Sequence, residues 1–162
     1  MHFFKRISSL GFKLECDERG LNRCEMVGGE LLATNEALHI SIREPQSRQR
    51  IEWWQIKRVS FDPEGATLEI GLENSQLDFV LTAPSLIPET VRERVTATIL
   101  TSITFPSGGH KAGAIAVISL RRRPTPTGEV TFTEIDWRGS PSESERAKAE
   151  LRSQWLRQQT YG

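Results

Sequence analysis

Lys57-Arg58-Val59-Ser60-Phe61-Asp62-Pro63-Glu64-Gly65-Ala66-Thr67-Leu68-Glu69-Ile70 is the stretch that decides the fold. Two runs with apolar residues at alternate positions flank Asp-Pro-Glu-Gly. Pro63 presets φ for the first turn position, and Gly65 is expected to take the left-handed conformation and form the bulge of a hairpin. The same grammar runs upstream. Arg23–Val27 meets Gly28-Gly29, a pair suited to the positive φ angles of a tight reversal. Glu30–Thr34 turns at Asn35-Glu36, where Asn tolerates left-handed backbone. Ala37–Ile42 then alternates strictly, with Leu38, Ile40 and Ile42 on one face and His39, Ser41 and Arg43 on the other. Arg50–Ile56 and the alternating Leu77, Phe79 and Leu81 add further strands. Short strands joined by tight turns specify antiparallel sheet.

The period changes after Pro84. Ile87, Val91, Val95 and Ile99 recur every four residues, and Pro88 and Glu89 suit a first helical turn, so a helix is expected from Leu86 to Leu100. Its last turn is rich in β-branched residues, which disfavour helix. Ala114–Leu120 is a near-continuous apolar run and reads as a strand covered on both faces. Glu129–Trp137 follows, and its apolar parity switches between Phe132 and Ile135, so a bulge is expected near Thr133. Ser140-Pro141-Ser142-Glu143 reads as a capping box opening a helix with Ala147, Leu151, Trp155 and Leu156 on one stripe.

The 162 residues fit one domain: an N-terminal extension (1–20), a core (21–103), an added hairpin (104–139) and a C-terminal helix (140–159). Formal net charge is zero, which argues against a duplex-DNA binder, since phosphate neutralisation needs basic excess. No apolar run approaches the roughly 20 residues of a membrane span, and the N-terminus has no continuous apolar core of a signal peptide. Cys16 and Cys24 match neither a redox pair nor a metal knuckle, and both are expected to stay reduced in a cytoplasmic setting.

No constellation for catalysis emerges. The histidines, His2, His39 and His110, are scattered, and His39 reads as a sheet-face residue rather than a base. No nucleophile elbow, phosphate loop or metal-ligand spacing occurs, so no catalytic residue, metal or cofactor is expected. Three surfaces remain. Trp53 and Trp54 are adjacent, so in a strand they face opposite ways; Trp53 goes to the core, and Trp54 shares a face with Ile56. Trp54 is then covered by the N-terminal segment, the terminal helix or a partner. Trp54, Ile56 and Trp155 are the protein-contact candidates. The acid-free stretch Met1–Leu14, with Lys5 and Arg6, either packs on the core, stays disordered or meets an anionic membrane. Arg121, Arg122 and Arg123 form a third candidate, for phosphate groups.

Short antiparallel strands followed by a helix are the order of a pleckstrin-homology-like barrel. Leu32-Ala33-Thr34-Asn35-Glu36-Ala37-Leu38-His39, Ile51-Glu52-Trp53 and above all Pro88-Glu89-Thr90-Val91-Arg92-Glu93-Arg94-Val95-Thr96-Ala97 resemble segments of a group of small uncharacterised actinobacterial proteins with that fold. The likeness runs from Gly28 to the C-terminus. It departs at Trp54, where the group more often has a polar residue, and in the acid-free N-terminus. The resemblance implies a fold and a bacterial cytoplasmic setting, and no site residues. The expectation is therefore an α+β chain, a pleckstrin-homology-like antiparallel barrel or sandwich capped by a helix, with an added hairpin and helix. Its expected role is a non-enzymatic protein-interaction or scaffold module that binds another protein or itself. The alternative is a peripheral binder of anionic lipid headgroups or phosphates through the basic N-terminus and Arg121–Arg123.

Overall fold

The computed structural model describes residues 11–105 and 113–159. It is an α+β chain that divides after Thr96 into two compact units, each with its own apolar cluster. No helix among the described residues is long and apolar enough to cross a membrane.

The first unit holds β1 (Gly20–Met26), β2 (Gly29–Thr34), β3 (Ala37–Ile42), β4 (Ser47–Glu52), a 3-10 turn (Trp53–Gln55), β5 (Arg58–Asp62), β6 (Thr67–Gly71), β7 (Gln76–Val80) and nearly all of α1 (Ile87–Ala97). β1 to β4 form one antiparallel meander and β5 to β7 another. One bridge, Met26 to Leu81, joins them, supported by Val27 N–H donating to Val80 O at 2.8 Å. The described strands thus make open sheets and do not close into the expected barrel. Leu31, Leu38, Ile51, Trp53, Leu68 and Ile70 fill the space between them, and α1 adds Ile87 and Val91.

The turns explain the register. Gly28 has φ +81°, and a Cβ on Gly29 would lie 2.0 Å from the Ser41 carbonyl oxygen, so both glycines are required by geometry. At the Asp62 turn the left-handed residue is Ala66, at φ +48°, not Gly65. The Asp62 carboxylate accepts the N–H groups of Glu64 (3.1 Å) and Gly65 (3.0 Å), which closes the turn locally and displaces the left-handed position by one residue. Asn35 is not left-handed either. Thr34 Oγ1 accepts the N–H groups of Glu36 (3.2 Å) and Ala37 (2.9 Å) and makes that reversal itself.

α1 stops at Ala97, short of the expected Leu100, and Ile99 opens a strand, β8 (Ile99–Phe105). The β-branched run decides this: Ile99, Thr101, Ile103 and Thr104 suit a pleated surface better than a helical turn. β8 pairs with β9 (Ile115–Thr125), so residues 99–103 belong to this sheet and not to the core expected over 21–103.

In the second unit, β10 (Gly128–Arg138), β9 and β8 form an antiparallel sheet, and α2 (Glu143–Gln159) packs against β9 and β10. The β9–β10 register runs unbroken from Gly128↔Thr125 to Arg138↔Ile115, without the expected bulge. The apolar parity switch arises because the two faces serve different ends. Ile135 and Trp137 pack with Ala116, Ile118, Leu120, Ala149 and Leu156, whereas Phe132 pairs across from Arg121 on the other face. That other face is only half-buried at Ile115, Val117 and Ser119, so β9 is fully enclosed on one face, not both. The capping box also sits two residues later than expected. Ser142 N–H donates to Glu145 Oε2 (2.7 Å) and Glu145 N–H to Ser142 Oγ (3.2 Å). The buried stripe of α2 is Ala149, Ser153 and Leu156, so of the expected stripe only Leu156 faces the core.

Candidate functional site

The sheet alternation that buries Leu38 and Ile40 puts Thr34, His39 and Arg50 on the opposite face of the first meander. His39 pairs with Leu32 on β2 and with Arg50 on β4. The segment from Phe12 to Glu18 lies across that face. Glu18 is fully enclosed and accepts three hydrogen bonds: from Thr34 Oγ1 (2.6 Å), His39 Nε2 (2.7 Å) and the Glu15 N–H (3.0 Å). Phe12 meets the His39 ring edge-on at 6.0 Å, and the Arg23 guanidinium stands 5.5 Å over Phe12. The Arg19 N–H donates to Asn35 Oδ1 (2.6 Å), and Asp17, at φ +66°, turns the chain between these anchors.

Arg50 is the electrostatic centre. Nη1 donates to Glu52 Oε1 at 3.1 Å, Nη2 is 3.5 Å from both Glu15 and Glu36, and Nε is 3.6 Å from Glu18. Burial acts to push the Glu18 carboxyl up. The donors Glu15 N–H, Thr34 and His39 outweigh it and hold the group below its ordinary value. Burial likewise opposes the charge on Arg50, but Glu52, Glu18 and Glu15 win and raise its pKa. The sequence reading missed this clamp. Its signal was the parity shared by Arg50 and Glu52, together with acids appearing at Glu15 and Glu18 after an acid-free stretch.

A carboxylate oriented on an imidazole is half of an acid–base dyad. Here the nitrogen in reach of Glu18 is Nε2, and the His39 side chain is only 6% exposed beneath Phe12. The arrangement fastens the Phe12–Glu18 segment to the sheet with the imidazole buried beneath it.

The remaining candidates fall out differently. Trp53 is buried as expected and donates from Nε1 to Thr34 O at 3.2 Å. The chain coils into a 3-10 turn at Trp53, so strand parity does not govern Trp54 and Ile56. Ile56 is completely buried in the core, which removes it as a contact candidate. Trp54 is half-buried, and its Nε1 donates to the Glu52 carboxylate. Arg121 is 1% exposed, with Nη1 donating to Glu134 at 2.8 Å and Nη2 to Thr98 Oγ1 at 2.7 Å, so it is an internal ion pair and not a phosphate contact. Three consecutive arginines on a strand cannot share a face, and the cross-strand acids of β10 were invisible to a one-dimensional count. Arg122 and Arg123 are exposed, Arg122 lying 3.7 Å from Glu129. Lys5 and Arg6 lie outside the described residues.

Trp155 remains at the surface. It is 46% exposed and Leu151 is 66% exposed, one helical turn apart on the outward side of α2. With Phe105 from β8 they line an open groove of about 400 Å³, completed by Lys148 and Arg152. Two aromatics and a leucine form its apolar part, and among the described residues the charges in its lining are both positive. Comparison with protein-family models, curated proteins and solved structures gives no match for this chain.

Proposed function

We propose that the chain is a non-enzymatic, cytoplasmic protein-interaction module whose contact surface is the groove between α2 and Phe105. The observation that carries this reading is the pair Leu151 and Trp155, held outward beside a concave apolar surface. An exposed Trp over a groove is the kind of anchor that dominates interface energetics once a partner desolvates it. The first unit, on this reading, is a pleckstrin-homology-like scaffold. Four strands, three strands and a helix in that order support the assignment. The lipid or phosphate reading has lost Arg121 to Glu134, and no contact of Arg122 favours it.

A photo-crosslinking residue at Arg152, with one at Glu64 on the Asp62 turn as a remote control, tests this in cells that make the protein. A discrete adduct from position 152, absent from position 64 and lost on Leu151→Asp, is the expected result. No adduct, or equal adducts from both positions, defeats the reading.

A further inference from the structure

The groove has a second wall with hydrogen-bonding capacity of its own. β8 is an edge strand: its one hydrogen-bonded strand neighbour among the described residues is β9. Its sequence, Ile99-Leu100-Thr101-Ser102-Ile103-Thr104-Phe105, has no charge and no proline, and Ile99 and Leu100 are 37% and 46% exposed. Edge strands are ordinarily protected by charges, prolines, bulges or a cover. β8 has one irregularity, between Ile99 and Thr101, and α2 packs mainly over β9 and β10. Ile103 and Phe105 pair across from Ile118 and Ala116, so they lie on the face that α2 covers. The helix therefore stands one strand back from the open edge, and the floor of the step between them ends in Phe105.

We infer that this step is a strand-addition site for an extended, acidic-apolar peptide segment of a partner protein. The segment pairs its backbone with β8, sets one aromatic or aliphatic side chain against Phe105, Leu151 and Trp155, and places carboxylates on Lys148 and Arg152. Strand addition supplies affinity through main-chain hydrogen bonds, while pockets for alternate side chains supply selectivity. The seven residues of β8 span roughly 23 Å, enough to register a comparable stretch of ligand. Charge complementarity selects the ligand, because among the described residues the groove lining presents a lysine and an arginine and no acid. The inference rests on the proposed function and adds the binding mode and the partner's chemistry.

Selection from a random 12-residue peptide library displayed on phage, with the intact protein as bait, tests it. Leu151→Asp and Lys148→Glu/Arg152→Glu baits serve as controls, each verified as folded by circular dichroism. The expected binders combine Asp or Glu with an aromatic or aliphatic anchor. The charge-reversed bait weakens them about tenfold, as two rim charges of ~0.7 kcal/mol each require, and bound peptide slows amide exchange across residues 99–105. Binders that depend on Leu151 but protect no β8 amide, or ignore the charge reversal, overturn the strand-addition inference and leave the interaction module standing. Absence of any Leu151-dependent binder overturns both. A wild-type dimer in sedimentation that Leu151→Asp dissolves reassigns the groove to a second copy of the chain and overturns the peptide inference alone.

Discussion

Replacing Glu18 with Ala removes the acceptor on which Thr34 Oγ1, His39 Nε2 and the Glu15 N–H converge, and takes one of four carboxylates from around Arg50. Hydrogen bonds to a charged group are worth about 1.5–3 kcal/mol each, though members of one network do not add. Stripping one partner from a buried ionic cluster typically costs about 3–5 kcal/mol, because the others stay desolvated and unpaired. We expect about 3–4 kcal/mol, a large share of what a unit of this size possesses. Glu18→Gln keeps an acceptor oxygen and should lose only about 1–2 kcal/mol, the charge-assisted part. The pH dependence has a definite sign. The folded-state pKa of Glu18 is depressed, so its contribution is complete above the unfolded value and disappears as pH falls through the folded one. His39 and Arg50 face this carboxylate, and Arg50 in turn faces Glu15, Glu36 and Glu52. Native-state hydrogen exchange of the β3 amides provides the assay. Glu18→Ala should accelerate their exchange by roughly 10²–10³-fold near neutrality. The gap between wild type and Glu18→Gln should hold at neutral pH and narrow as pH falls from about 5 to about 3. A cost below about 1 kcal/mol for Ala, or a wild-type–Gln gap constant over that range, refutes the clamp.

Ala66→Gly relieves a left-handed alanine and should stabilise the first unit by about 0.5–1 kcal/mol, read as a higher thermal midpoint. Gly29→Ala drives a Cβ into the Ser41 carbonyl and should cost more than about 2 kcal/mol, with loss of β2–β3 amide protection. Ser142→Ala removes the N-cap of α2 and should cost about 1 kcal/mol, read as faster exchange in its first turn. Arg121→Met alone strands Glu134 and should destabilise the second unit by about 3–5 kcal/mol, whereas Arg121→Met with Glu134→Leu should recover most of that in urea denaturation. A double variant no better than the single one would show that the pair contributes through packing and not charge.

The sequence reading placed most elements because their signals are local. Alternation at Leu38 and Ile40, the Gly28-Gly29 reversal and the four-residue period from Ile87 to Val95 each need only neighbours in the chain. What escaped it depends on partners distant in sequence. Arg121 looked like an exposed arginine until Glu134 and Thr98 came to it from a neighbouring strand and the end of α1. Ile56 looked surface-bound because strand parity was carried through a 3-10 turn. The outward position of Leu151 and Trp155 follows from which side of α2 the sheet occupies, and a weakly amphipathic helix leaves that open. Glu18 and His39, 21 positions apart, carry no mutual signal in one dimension.

The two apolar clusters are separately labelled by nature. Trp53 and Trp54 belong to the first unit, and Trp137 and Trp155 to the second. Intrinsic fluorescence therefore contains two reporters, and Trp→Phe replacement within either pair leaves an optical record of the other unit alone. A single melting temperature then has no defined meaning unless both records coincide. If they separate, a variant in the clamp and a variant at the groove can be ranked for stability on independent scales, each in the unit where the damage was done.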